Sequence, residues 1–446
     1  MTTSNHLIQF QVGVFIILFS FSFSYTHTPP HEATPTSPPQ QQSPPSPQKQ
    51  SSPPPSSQRK SPPSPQKGSS SPPSSQHQSH SSQTTEEYKG CWSKVFAFGD
   101  SNTDTGNGYL VGGLKSFTNT SFSKSFYSSS SNGYLKGHRL SNGRLIVDHL
   151  TESLACPPLA AYKSPSVDIN YSGSVNFAIA GTSTLSRDYF YNNNIGHTFM
   201  WSRVPESYRT EMTWFNNFLH ERTQRHGSKA CRKEMADTLF WVGGVGSNDY
   251  LRMYGSSVTS RMLTDLSIGH VSRILTSLLD QGALYIVVQG LPPLGCLPSQ
   301  LSMCPLLDRD ERGCSKAANN IVRAHNKLLQ LRLDNIRRRY PHAMIAYADT
   351  YGAYEAILAN YQKYHFKEPF RACCGSDEDG PFNFDVHCLC GASGTTICKN
   401  SGQYMSWDGI HFTDSMNGKL TDLFLNKGYC QPSFKELAKK KKQQVI

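Results

Sequence analysis

Short apolar runs that alternate with long helical stretches restrict the fold of this chain more than any other feature. Val95–Phe98, Val175–Ala180, Leu239–Val242, Leu284–Val288 and Met344–Ala348 are each brief and almost continuously apolar. That is the pattern of strands buried on both faces. Between them, Leu145–Leu154, Thr259–Leu279 and Ala317–Arg339 follow helical spacing. In the last of these, Ile321, Leu328, Leu329 and Ile336 share one side and arginines occupy the others. Strand, helix, strand in repeated order predicts a three-layer α/β/α domain, a parallel sheet of about five strands with helices on both faces.

The alternation starts only after residue 88. Val12–Phe19 is an apolar stretch of about eight residues, the length of a signal-peptide core and too short to span a bilayer. The preceding segment has no Lys or Arg, only His6 and the terminal amine. Ser22 and Ser24 precede Tyr25, which places cleavage after Ser24 and leaves no transmembrane anchor. Residues 25–88 are rich in Ser, Pro and Gln, lack apolar runs and cannot bury enough surface to fold. Within them Ser43–Lys49 recurs identically at Ser61–Lys67, a composition that favours extended polyproline II. These Ser-Pro-Pro repeats resemble plant cell-wall extensins, and an inert spacer is the equal alternative. Residues 89–430 form the expected folded domain, and 431–446, with the run Lys439–Lys442, a solvated basic tail.

The twelve cysteines, an even set, read as disulfides in an oxidising compartment. Cys373, Cys374, Cys388 and Cys390 with His387 imitate a zinc site, but their spacing lacks the two Cys-x-x-Cys pairs of a structural zinc, so no metal is expected. Asn119 and Asn170 head glycosylation sequons. The net charge of +11 is scattered and accompanies no nucleic-acid motif. An acidic wall polysaccharide such as pectin is a candidate partner on charge alone.

In open parallel sheets, sites form beyond the carboxyl ends of the strands. Three unusual turns fall there: Phe98-Gly-Asp-Ser101, Ala180-Gly-Thr182 and Gly243-Gly-Val-Gly-Ser-Asn-Asp249. Glycines after strands allow tight turns and free backbone N–H groups to face a ligand. Asp408-Gly-Ile-His411 adds a carboxylate spaced to reach and orient an imidazole.

Together these segments resemble the plant GDSL esterase/lipase group of the SGNH hydrolases. Phe96-Ala-Phe-Gly-Asp-Ser-Asn-Thr-Asp-Thr-Gly-Asn107 is similar to its first block, and Ser141-Asn-Gly-Arg144 to a motif that follows it. Asn176-Phe-Ala-Ile-Ala-Gly181, Gly246-Ser-Asn-Asp249 and Asp408-Gly-Ile-His411 match the remaining blocks in order. The resemblance implies a flavodoxin-like SGNH fold and hydrolysis of carboxylic esters. Ser101 would be the nucleophile, His411 the base and then acid, and Asp408 its orienting partner. The N–H groups of Ser101 and Gly181 and the amide of Asn248 would form the oxyanion hole. No cofactor is implied.

The residue after the nucleophile, usually apolar, is Asn102 here. The Ser- and Asn-rich stretch 117–136 also departs from the family pattern. Asp100 and Asp104 read as structural supports of the nucleophile turn. Two other functions fit the sequence: an acyltransferase using the same acyl-enzyme, and a wall-associated binding protein with a silent enzyme domain. The other common lipase scaffold does not fit, since no Gly-x-Ser-x-Gly occurs.

Overall fold

A computed structural model describes residues 88–111, 138–168, 170–193, 206–253, 258–376 and 380–444. The expected signal segment, the Pro-rich stretch to residue 87 and Asn119 lie outside them.

Six parallel strands follow one another along the chain: β1 (Val95–Phe98), β2 (Ala160–Ala161), β3 (Val175–Asn176), β4 (Leu239–Val242), β5 (Tyr285–Gln289) and β6 (Met344–Ala348). Two small pairs come next, β7 (Glu368–Ala372) with β10 (Tyr404–Ser406) and β8 (Cys374–Gly375) with β9 (Thr396–Ile397). Finally β11 (Cys430–Gln431) adds to β6, antiparallel. The main sheet runs β11-β6-β5-β4-β1-β3-β2. Its order reverses at β1, which lies between β3 and β4.

Alternation along the strands separates two cores. Val95, Ala97, Leu239, Trp241, Tyr285 and Val287 face one layer, where helices Ile146–Ser153 and Asp414–Asn426 pack. Phe96, Phe98, Phe240, Val242, Ile286 and Val288 face the other, under helices Tyr208–His226, Ser260–Asp280 and Lys316–Arg339. The chain therefore has the expected α/β/α architecture, with seven strands in place of about five. The two extra strands are two-residue edges too short to register as periodic runs. Although the N–H groups of Phe177 and Ile179 still donate to the Ala97 and Gly99 carbonyls at 2.7 and 3.1 Å, Val175–Ala180 is regular strand only at its first two residues. Beyond them Asn176 Oδ1 accepts the N–H of Ala178 at 2.8 Å, and this local bond bends the strand into the turn that ends at Gly181.

Two expectations are corrected. The even set of cysteines does not pair completely. Disulfides join Cys296–Cys314, Cys373–Cys398 and Cys374–Cys390, whereas Cys156, Cys231, Cys304, Cys388 and Cys430 keep their thiols. Cys231 and Cys430 are buried and act as small apolar residues; burial pushes the Cys430 thiol up to about 12. Nor is the basic C-terminus a solvated tail. Phe434–Gln444 is a helix whose Phe434, Leu437, Ala438 and Lys441 form one buried stripe. Lys441 Nζ pairs with Asp237 at 2.5 Å, while the neighbouring lysines stay on the outer side.

Removing residues 434–446 should therefore destabilise the domain by about 3–6 kcal/mol, the burial of two large apolar side chains. Urea unfolding of the truncated and full-length proteins measures this, and equal midpoints would return the segment to the status of a tail.

Candidate active site

Ser101 stands in the turn that leaves β1. Gly99 has φ +152, and a Cβ there would lie 2.7 Å from Thr103 Oγ1, so the turn needs glycine. The carbonyl of Asp100 accepts the N–H groups of Thr103 and Asp104, both at 2.9 Å. Asp100 Oδ1 accepts the N–H of Asn102 at 2.9 Å, and the Asn102 amide turns back to the same oxygen at 3.3 Å. The polar residue after Ser101 is thus occupied within its own turn.

Asp104 holds this turn to the next one. Its Oδ1 accepts the N–H groups of Gly106 and Asn107, both at 2.7 Å. Its Oδ2 accepts those of Gly108 at 2.8 Å and Ala180 at 2.7 Å. Asn107 and Asn176 complete the seam. Asn107 Nδ2 donates to the carbonyls of Asn176 and Ala178 at 2.8 and 2.9 Å, and Asn176 Nδ2 donates to that of Thr103 at 2.6 Å. Asp100 and Asp104 are therefore structural, as their turn positions predict.

His411 comes from the far end of the chain. Its Nε2 lies 2.8 Å from Ser101 Oγ, and its Nδ1 lies 2.6 Å from Asp408 Oδ2. Asp408 Oδ1 accepts the N–H groups of Ile410 and His411 at 2.9 and 2.7 Å, which fixes the carboxylate against its own loop. Gly409, at φ +91, packs so closely on Phe384 that a Cβ would lie 2.3 Å from the ring. On one side the loop is continuous with β10, where the N–H groups of Cys373 and Cys374 donate to Ser406 and Trp407 carbonyls at 3.1 and 2.7 Å. On the other side Ser141 Oγ donates to the Phe412 carbonyl at 2.9 Å, and Asn142 Oδ1 accepts the Asp414 N–H at 2.8 Å. Arg144 pairs with Asp414 as well. The Ser141–Arg144 motif, which has no evident role in the sequence, clamps the segment just after His411.

Burial disfavours imidazolium at His411, but Asp408, with Asp100 adding to it, outweighs this and holds the ring above its ordinary value. Burial would raise Asp408; His411 and the two loop N–H groups keep it below its ordinary value instead. Asp100 is raised to about 6 by burial, against the bonds from Asn102 and the nearby His411.

Gly181 follows β3 at φ +81, and among the described residues no backbone carbonyl accepts the N–H of Ser101 or Gly181. Asn248 Nδ2 donates one proton to the Thr182 carbonyl at 2.9 Å. The amide is thereby fixed beside the Gly181 turn, with its second N–H not used by that bond. Asp249 secures the same junction, accepting the N–H groups of Thr184 and Leu185 at 2.9 and 3.1 Å and the Thr184 hydroxyl at 2.9 Å.

Glu211 is a residue that the sequence reading passes over. It is fully buried and accepts the Gly99 N–H at 3.0 Å. Burial, reinforced by Asp104 and Asp100, raises its pKa well above the ordinary range. The available signal was an acid on the buried stripe Tyr208, Glu211, Phe215, Phe218 of its helix. Of the sequons, Asn170 is exposed. Among the described residues no cluster of side chains could hold a metal, and no helix is long and apolar enough to cross a membrane.

A family model described as GDSL-like lipase/acylhydrolase matches residues 95–424, and the chain belongs to that family. A GDSL esterase/lipase of Arabidopsis thaliana is 37% identical over 359 residues, 78% of this chain and 90% of the relative. Acetylajmalan esterase 2 of Rauvolfia serpentina is 30% identical over 333 residues, 73% of this chain and 87% of the relative. Sinapine esterase of Brassica napus is 29% identical over 354 residues, 77% and 87% of the two chains. The family is one of ester hydrolases.

Asp104→Asn should cost about 2–4 kcal/mol, because an amide N–H₂ would face the N–H groups of Gly108 and Ala180 and leave them unpaired. Denaturant unfolding reads the loss, and an unchanged midpoint would mean that the seam does not depend on this carboxylate.

Proposed function

We propose that the chain is a secreted serine esterase that hydrolyses carboxylic esters through an acyl-enzyme on Ser101. The observation that carries this reading is the continuous relay from Ser101 Oγ through the His411 ring to Asp408. A serine hydroxyl becomes an effective nucleophile when a positioned base takes its proton. His411 Nε2 takes that proton as Oγ attacks the ester carbonyl, and Asp408 stabilises the imidazolium and fixes its tautomer. The N–H groups of Ser101 and Gly181 and the free N–H of Asn248 then hold the oxyanion. On collapse of the tetrahedral intermediate, His411 returns its proton to the leaving alcohol and Ser101 keeps the acyl group. Water, activated by His411, repeats the sequence and releases the acid.

Secretion rests on the N-terminal apolar segment and is supported by the three disulfides. Discrete esters of the kind named by acetylajmalan and sinapine join acetylated wall polymers and lipids as candidate substrates. A panel of acyl-chain lengths and acetylated polymers, tested on purified protein, ranks them.

Ser101→Ala should abolish turnover of a small soluble ester and labelling by a fluorophosphonate; retained turnover would sink the nucleophile assignment. Asn248→Ala should lower kcat by about 10²–10³ with a much smaller change in KM, since its donor meets charge that exists only in the transition state. A folded variant with near-normal kcat would leave the oxyanion to the two backbone donors.

The pH dependence follows from the raised His411. The free enzyme needs the ring neutral, so kcat/KM should climb as pH rises through an apparent pKa above about 6.5 that belongs to the Asp408–His411 pair. Asp100→Asn removes a carboxylate that favours imidazolium, and should move this limb to lower pH. A limb that stays in place would exclude Asp100 from the electrostatics of the base.

A further inference from the structure

A groove of about 540 Å³, which Ser101 does not line, opens between helices Tyr208–His226 and Ser260–Asp280. One part of its lining is apolar: Met212, Leu266 and Ile274. Another part is basic. Arg209 comes from the first helix, and His270 and Arg273 from the second. The lining contains no Asp or Glu. The neighbouring Glu206 is outside the lining, and its carboxylate accepts the Thr210 hydroxyl at 2.7 Å.

Positive charge with no acid in the lining of a concave, partly apolar groove is the arrangement that draws an anion. Both arginines present planar guanidinium donors. They lie close enough to His270 that, after burial itself, Arg273 and then Arg209 hold its imidazole below the ordinary value. Neither guanidinium forms a salt bridge with another described residue. Two guanidinium groups therefore line the groove with no ion-pair partner among the described residues.

We propose that this groove binds an organic carboxylate, its anionic head between Arg209 and Arg273 and its apolar body against Met212, Leu266 and Ile274. Guanidinium groups suit a carboxylate because their planar donors match its two oxygens. The apolar floor asks for more than a bare ion. Its lining includes none of Ser101, Asp408 and His411, although two lining residues, Thr184 and Leu185, are tied by Asp249 to the turn that bears Asn248.

The test is calorimetric titration of the full chain with benzoate, its neutral isostere benzamide, and inorganic phosphate. Benzoate should bind wild type and Ser101→Ala equally, which separates the groove from capture of a product acid at the active site. The double variant Arg209→Gln/Arg273→Gln should bind benzoate about tenfold more weakly. Both arginines are exposed, so its unfolding midpoint and its turnover of a small ester should match wild type. Benzamide and inorganic phosphate should each bind about tenfold more weakly than benzoate. The proposal fails if the double variant keeps full affinity, if Ser101→Ala loses it, if benzamide or phosphate equals benzoate, or if benzoate shows no saturable binding.

Discussion

The carboxylate of Asp104 is the constraint on which the rest of the site depends. Four backbone N–H groups from two separate turns converge on its two oxygens. One turn follows β1 and carries Ser101, and the other follows β3 and carries Gly181. Parallel strands place such turns side by side but do not fix their mutual position to the accuracy that proton transfer and oxyanion binding require. A buried carboxylate does so, because each N–H it holds would otherwise be an unpaired polar group. Asn107 and Asn176 extend the same logic along the seam.

Acids are concentrated at this end of the sheet. Asp100, Asp104, Glu211 and Asp249 are all buried, and burial raises the pKa of each. Each carboxylate accepts from backbone N–H groups of a loop beside the site, and none of these four touches the Ser101 hydroxyl. Asp408, partly exposed, falls below its ordinary value instead, because it faces the His411 imidazole. Two kinds of carboxylate thus share one small volume. Four hold backbone in place, and the fifth holds a ring.

Much of this was legible in the sequence, for a physical reason. Strands buried on both faces must be apolar throughout, so Val95–Phe98, Leu239–Val242 and Met344–Ala348 carry their own signature. Ser101, Asp408 and His411 are legible only through the joint motifs that carry the family resemblance, since an Asp-x-x-His pair alone is common. The illegible parts are those whose meaning depends on distant partners. Nothing local to Ser141 points to the Phe412 carbonyl, and nothing near Glu211 points to the N–H of Gly99. Ala160–Ala161 and Cys430–Gln431 are strands only because a neighbour offers an edge. In the terminal helix, an excess of lysine hid an apolar stripe of only Phe434, Leu437 and Ala438.

Ser101 and His411, the proposed nucleophile and base, are 310 residues apart in the chain. A ribosome adding about 5–20 residues per second would need roughly 15–60 s to travel from one to the other. Throughout that interval Ser101 is an ordinary alcohol, since no imidazole has yet been made to take its proton. The loop that carries His411 is clamped by Ser141 and Asn142, made early, and is followed by the helix Asp414–Asn426, made late. Under the proposed mechanism, catalytic competence arrives with the last part of the chain, and a protein interrupted before that point carries Ser101 in an inert form.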